Sequence, residues 1–240
     1  MELNMRKAII GIVSKHYATY KNDRADTFVR DEVKQAIFDN GAIAIAILPT
    51  DNEIKYIGDN WKEDLHGEEY ENLISQVKLC DGIIFQGGAE SDNYECIIAK
   101  YCYENNIPTL GICCGQNIIA RAIGGTTYMI ENPEKHMQMS KQYIHKIKID
   151  KESIFYDIIK KEEIMVNSRH KRTIKDCPKL DKVGFCEDGY ADVIESKDKD
   201  FYIGIRFHPE SLYKIDENMN NIFKRLIETC NKNIKSNIKF

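Results

Sequence analysis

Ile107-Pro108-Thr109-Leu110-Gly111-Ile112-Cys113-Cys114-Gly115-Gln116-Asn117-Ile118-Ile119-Ala120-Arg121-Ala122-Ile123-Gly124-Gly125 is the stretch from which the fold is read. Its first five residues, 107–111, predict a short buried strand. Residues 116–123 predict a helix, ended by Gly124-Gly125. Cys113 therefore falls on a strand-to-helix turn with a glycine on either side, the pattern of a nucleophile elbow. Such a turn is tight enough that flanking side chains would clash, hence Gly111 and Gly115. The elbow lifts the sulfur above the sheet, and the helix N-terminus behind it favours thiolate over thiol.

A second motif lies downstream. Tyr202-Ile203-Gly204-Ile205-Arg206-Phe207 predicts an apolar strand running into His208-Pro209-Glu210. On extended chain, residues two apart point the same way, and Pro209 is expected to exclude helix there. Cys113 with a histidine oriented by a glutamate is a nucleophile, base and orienter set. Either motif alone is also compatible with a purely structural role; together, each at a strand end, they point to acyl-transfer chemistry.

The surroundings of the elbow predict alternating strands and helices. A strand at 8–13 is followed by a helix near 27–39, with Asp26 or Thr27 as N-cap and Asn40-Gly41 as stop. Its apolar stripe is Val29, Val33 and Ile37. Ala42 to Leu48 is apolar throughout, as expected of a parallel strand buried on both faces. A helix near 68–79, a strand at 82–86, a helix near 92–105 and the elbow strand complete a βαβ series, hence a parallel sheet covered on both sides. The second half changes character: short strands near 143–149, 163–166, 181–186, 190–195 and 201–207 are expected to extend the sheet and add a small antiparallel flap. A last helix near 216–230 carries Met219, Ile222, Phe223, Leu226, Ile227 and Cys230 as a core stripe. Ligands of such sheets bind beyond the carboxyl ends of the strands, where Gly87-Gly88, Cys113 and His208 all fall.

The 240 residues suffice for one sizeable core, and no linker, repeat or low-complexity block divides them, so residues 1–240 are expected to form one α/β domain with 231–240 as a frayed tail. A net charge of −4 without a basic stripe argues against nucleic acid as a partner. No run reaches membrane-spanning length and Met1 to Lys7 lacks the order of a signal peptide, so a cytoplasmic location is expected. Of the eight cysteines, Cys80, Cys96, Cys102, Cys186 and Cys230 sit in apolar or amphipathic stretches and are expected to be small core residues. No C-x-x-C pair occurs and the spacing shows no zinc ligand cluster; no metal or organic cofactor is expected. His16, His66, His136 and His145 show no partner pattern and are expected to be surface or locally bonded.

These residues carry a resemblance. The chain resembles the class I glutamine-amidotransferase-like proteins, and among them the γ-glutamyl-γ-aminobutyrate (γ-glutamyl-GABA) hydrolases, a group of cysteine peptidases. The resemblance runs through 8–13, Asp81 to Gly88, the elbow through Thr126, Val166-Asn167-Ser168-Arg169-His170, and His208-Pro209-Glu210. It implies a flavodoxin-like sheet, Cys113, His208 and Glu210 as catalytic residues, and an oxyanion hole from the backbone of Cys114 and Gly88. Gly87 would allow close approach, although Gly87-Gly88 also fits an ordinary strand-end turn. Asn117, Asn167, Ser168 and His170 would contact the glutamyl end, where a plain polar turn is the competing account of 166–170.

The chain departs from the pattern at four places. Cys114 stands where the family has arginine, Asn117 and Arg172 stand where it has glutamine, and the loop after Gly88 is short. These departures bear on substrate fit. The implied activity is hydrolysis of a small γ-glutamyl amide, with a homodimer as a common arrangement among relatives. Two other functions fit the same residues: a glutaminase subunit feeding ammonia to a separate synthetase, and a catalytically degenerate binding or redox-sensing module built on Cys113-Cys114.

Overall fold

The computed structural model describes residues 6–19, 24–51, 55–88 and 91–237. The first half comprises β1 (Ile9–Val13), β2 (Lys15–Thr19), β3 (Arg24–Phe28), α1 (Asp31–Asp39), β4 (Ile43–Ile47), α2 (Gly67–Lys78), β5 (Gly82–Phe85), α3 (Asn93–Glu104), β6 (Thr109–Ile112) and α4 (Cys114–Arg121). The second half adds β7 (Thr126–Met129), β8 (His145–Ile149), α5 (Ile154–Ile159), β9 (Glu163–Val166), β10 (Arg172–Asp176), β11 (Asp181–Cys186), β12 (Ala191–Glu195), β13 (Tyr202–Ile205) and α6 (Glu217–Asn237).

Nine strands form one mixed sheet in the order β4-β1-β5-β6-β13-β12-β11-β8-β9. From β4 to β13 every pairing is parallel; from β13 to β9 every pairing is antiparallel. The parallel half is the βαβ series expected from the apolar runs. The antiparallel half extends the sheet, and the separate ribbon β7–β10 forms a small flap against α4.

Two apolar layers cover the sheet. Val33 and Ile37 of α1, Phe155 of α5 and Phe223 and Leu226 of α6 pack on one face. Leu73 and Val77 of α2, Ile97 and Ile98 of α3 and Ile118 and Ile119 of α4 pack on the other. Burying each such side chain contributes roughly 1.5–3 kcal/mol, which is why helix phase follows the stripes.

Several local expectations are corrected. The first helix starts at Asp31, not near 27, because Thr27 and Phe28 belong to β3 and the Arg30 N–H is taken by the Gln86 side chain at 2.8 Å. Arg30 is thus the N-cap residue, and Asp31 and Glu32 supply the negative charge favoured in a first turn. The strand at 42–48 is an edge strand, so Ile43 is 41% exposed rather than buried on both faces. Pro209 opens a 3₁₀ turn, Pro209–Ser211, instead of extending the chain; proline fits a first helical position, where its missing N–H costs nothing. The last helix runs on to Asn237 with Ile234 buried, so 231–237 is not a frayed tail; residues 238–240 lie outside the described set. Cys96, Cys102, Cys186 and Cys230 are buried and Cys80 is partly so. Among the described residues no helix is long and apolar enough to cross a membrane.

Candidate active site

Cys113 stands between the last residue of β6 and the first of α4, with φ 54° and ψ −105°. A non-glycine residue at positive φ is strained and is held only where its surroundings fix it. Here the surroundings are glycines. A Cβ on Gly115 would lie 2.2 Å from the Phe85 carbonyl oxygen, and one on Gly111 would lie 2.6 Å from that of Gly115. No side chain larger than hydrogen fits at either place.

His208 follows β13, next to β6 in the sheet, which brings it to the same edge. Its Nδ1 lies 2.6 Å from Glu210 Oε1, and the two-residue spacing achieves this through the 3₁₀ turn. Nε2 is buried without a hydrogen-bond partner among the described residues. Gly87 closes the triangle: a Cβ there would come 2.8 Å from His208 Cε1 and 3.4 Å from Cys113 Cβ. Burial pushes the Cys113 thiol up, but the nearby charges of His208 and Arg206 outweigh burial and hold the thiol below its ordinary value. Burial disfavours charge on His208 too, yet Glu210 and Cys113 raise the imidazole to about 10. Each group thus favours the charged form of the other, a thiolate beside an imidazolium.

Asn167, expected to touch substrate, is used otherwise. Its Nδ2 donates to the His208 carbonyl at 2.8 Å, and its Oδ1 accepts from the His208 N–H at 2.7 Å. Both ends of the amide thus clamp the backbone of the histidine. Ser168 is fully buried and turned toward His136 Nδ1, 3.4 Å away. Neither lines the cavity beside Cys113.

That cavity has a volume of ≈ 400 Å³. Gly88, Cys113, Cys114, Asn117, Met129 of the flap and Met137 line it. Cys114 presents its backbone N–H at the N-terminus of α4. Arg169, Lys171, Arg172 and Arg206 also line it, with no carboxylate among the described lining residues. His170 lines it as well; burial and the neighbouring Arg206 keep its imidazole well below the usual range, hence neutral.

Two features of the site were not read from sequence. Arg206 is 1% exposed; its Nη1 donates to the Cys113 carbonyl at 3.1 Å and its Nη2 to Asn117 Oδ1 at 2.8 Å. The signal was available, since a charge inside an otherwise apolar strand needs a partner when buried. Lys15 of β2 is the other. It pairs with Glu95 Oε1 at 2.7 Å and reaches within 3.7 Å of Cys114 Sγ. A positive charge thus stands beside position 114, although residue 114 itself carries none. Burial nonetheless raises the Cys114 thiol despite Lys15, so the two adjacent cysteines are pushed in opposite directions.

Gln86 holds the glycine loop, donating through Nε2 to the carbonyls of Val13 and Phe28, both at 3.0 Å. Gln116 points into the sheet, toward the Gly204 carbonyl at 3.3 Å, away from the cavity. Of the histidines with no partner pattern in sequence, three have carboxylate partners: His16 with Asp92, His136 with Asp188 and His145 with Asp192.

The geometry agrees with comparison to known proteins. The model of the Peptidase C26 family matches residues 86–210, which span the glycine loop, the elbow and the His208–Glu210 turn, and the chain belongs to that family. It is 26% identical, over 90% of its own length and 97% of the relative's, to the glutamine amidotransferase-like protein YvdE of Lactococcus lactis. It is 28% identical, over 81% of its length and 96% of the relative's, to one subunit of the glutamine-hydrolysing GMP synthase of Methanocaldococcus jannaschii. It spans about a third of a CTP synthase from Chlamydia abortus, at 27% identity (33% of that protein).

Among solved structures, a GMP synthase subunit from Thermoplasma acidophilum superposes with a TM-score of 0.67 at 17% identity, covering 98% of this chain and 100% of that one. The glutaminase domain of Trypanosoma brucei CTP synthase, solved with acivicin, gives 0.64 at 17% identity, with 94% of each chain covered. The fold is that of class I glutamine amidotransferases, and the protein is a cysteine-dependent amidohydrolase of that kind.

Proposed function

We propose that this protein hydrolyses the side-chain amide of a small γ-glutamyl compound through a thioester on Cys113. The observation that carries this is the strained Cys113 at the wall of a cavity, beside a His208 bonded to Glu210 at 2.6 Å. The Cys113 thiolate attacks the amide carbonyl. The developing oxyanion is taken by the backbone N–H groups of Cys114 and Gly88, fixed donors whose dipoles need no rearrangement. His208, protonated, passes its proton to the departing amine and then, as a neutral base, draws a proton from the water that cleaves the thioester. Glu210 holds the productive tautomer and supports the positive charge. Asn167 keeps the ring in register by clamping its backbone.

Arg169, Lys171, Arg172 and Arg206 favour a substrate bearing carboxylates, as a γ-glutamyl-GABA-like compound does at both ends. Asn117 and His170 are the neutral contacts for its glutamyl end. The second function, a glutaminase delivering ammonia to a separate synthetase, is favoured by the likeness to the Methanocaldococcus jannaschii GMP synthase subunit over most of both chains.

The test is a panel of γ-glutamyl amides, including glutamine and γ-glutamyl-GABA, with glutamate release measured for the native protein and Cys113→Ala. Release from the dicarboxylate compounds, absent in the variant, is expected. Release from glutamine alone, and only with a synthetase added, would favour the second function. No release under any condition would overturn both.

A further inference from the structure

The antiparallel half of the sheet gathers side chains that no step above uses. His145 opens β8, Cys186 closes β11 and Asp192 lies in β12, and these strands are neighbours in the order β12-β11-β8. Cys186 pairs with Ile147, and His145, two residues earlier on that strand, projects from the same face. The β11–β12 register slips where Gly184 faces Val193 but Phe185 faces Ala191, leaving Asp192 as the extra residue of a bulge. Bulges re-aim side chains, and this one turns Asp192 toward His145.

One ligand-type atom from each of His145, Cys186 and Asp192 lies within 4.8 Å of the other two. His145 Nε2 and Asp192 Oδ2 are 2.6 Å apart. Asp192 is 0% exposed, and its Oδ1, like His145 Nδ1, is buried without a hydrogen-bond partner. An ordinary histidine–carboxylate pair accounts for one contact. It leaves the second buried oxygen unsatisfied, which is costly and uncommon, and gives no role to the adjoining thiol. A further histidine stands close: the His136 ring centroid is 5.1 Å from that of His145, and its Nε2 is 3.2 Å from Asp188 Oδ2. A separate cavity of ≈ 260 Å³, lined by His136, His145, Cys186 and Asp188, gives a path from solvent.

We propose that His145, Cys186 and Asp192 bind a borderline divalent transition-metal ion, Zn²⁺ foremost, with His136 or water as a fourth ligand. Mixed nitrogen, sulfur and oxygen donors suit a tetrahedral Zn²⁺ and do not suit Mg²⁺ or Ca²⁺, which take oxygen ligands. Binding releases the Cys186 thiol proton to solvent, while the Nε2 proton that His145 shares with Asp192 moves to Nδ1, so that the imidazole binds neutral through Nε2; no electron is transferred. The ion would tie β8, β11 and β12 together. β12 in turn meets the candidate active site, since the Arg206 N–H donates to the Asp192 carbonyl at 2.8 Å. This site is independent of the reaction proposed for Cys113.

The test uses the full chain with Cys113→Ala, because Cys113 and His208 are themselves a second pair able to hold zinc. After stripping with a chelator, the protein is titrated with Zn²⁺ against a competing dye, and with Co²⁺ while recording absorbance. One equivalent should bind, with a thiolate-to-cobalt charge-transfer band. Adding Cys186→Ser should remove the band and weaken Zn²⁺ binding by at least about 100-fold, more than the loss of an outer partner would. His145→Gln should weaken it comparably, and it carries the test if Cys186→Ser does not fold; melting curves of the metal-free variants show which case holds. Failure of the stripped Cys113→Ala protein to bind Zn²⁺, or binding that survives in the folded variants, would overturn the proposal.

Discussion

Replacing Asn167 with alanine separates two roles for this residue. In the structure its amide makes two buried bonds to the His208 backbone, at 2.8 and 2.7 Å, and it does not line the cavity. Asn167→Ala strands the N–H and the carbonyl of a residue only 7% exposed. Each stranded buried group costs about 1–3 kcal/mol, and water entering the vacated space offsets part of this, so a loss of ~3 kcal/mol in unfolding free energy is expected. Release of the His208 backbone should also move the imidazole off Cys113, and a displacement near 1 Å is worth about 100-fold in rate. Urea unfolding reads the first quantity. Glutamate release from the best γ-glutamyl amide reads the second, and the rate of Cys113 alkylation at neutral pH reads the same displacement without any substrate. A clamp predicts a fall in kcat and in alkylation rate with KM nearly unchanged. A rise in KM with both rates intact would refute this reasoning and return Asn167 to the substrate.

Three other outcomes are expected. Iodoacetamide at neutral pH should label Cys113 first, and labelling should persist below the ordinary thiol pKa, whereas Cys114, whose thiol is raised by burial, should label slowly; equal rates, or loss of the fast site in Cys114→Ala, would contradict the assignment of the thiolate. The folded-state pKa of His208 is raised to about 10, so the stability its charge contributes is fully present below the imidazole's unfolded value of about 6.5 and is lost as pH rises through about 10; urea midpoints against pH should show this fall, and Glu210→Gln should shrink it. Gly115→Ala would set a Cβ 2.2 Å from the Phe85 carbonyl, so backbone must shift and at least about 3 kcal/mol should be lost; a melting curve like that of the native chain would show that the elbow tolerates a side chain.

Much of the parallel half was legible because its strands are short apolar runs that stop at glycines or charged turns, as at Ile83 to Gly88 and at the elbow. β2 and β3 escaped notice because Lys15 to Thr19 and Arg24 to Phe28 lack an apolar run, and Thr27 and Phe28 were absorbed into the helix that follows. The flap strands β7 and β10 are four and five residues long and mostly polar, so they show no periodicity on their own. The edge position of β4 could not be read from its composition, because an apolar run does not say how many neighbours it has. Cys113, His208 and Glu210 were legible because local geometry sets their roles: a glycine-bracketed turn and a two-residue spacing. The partners of Arg206, Lys15 and Asn167 were not, because they lie 41 to 99 residues away. The same holds for His145, Cys186 and Asp192, which only the pairing of β8, β11 and β12 brings together.

In the proposed reaction Cys113 carries the glutamyl group between two half-reactions. Mixing the protein with its best γ-glutamyl amide, quenching in acid during turnover and sequencing the peptides by mass spectrometry tests it directly. A γ-glutamyl thioester is expected on Cys113, none on Cys114, and none anywhere in Cys113→Ala. Glutamate release with no adduct on Cys113, or an adduct on another residue, would contradict it.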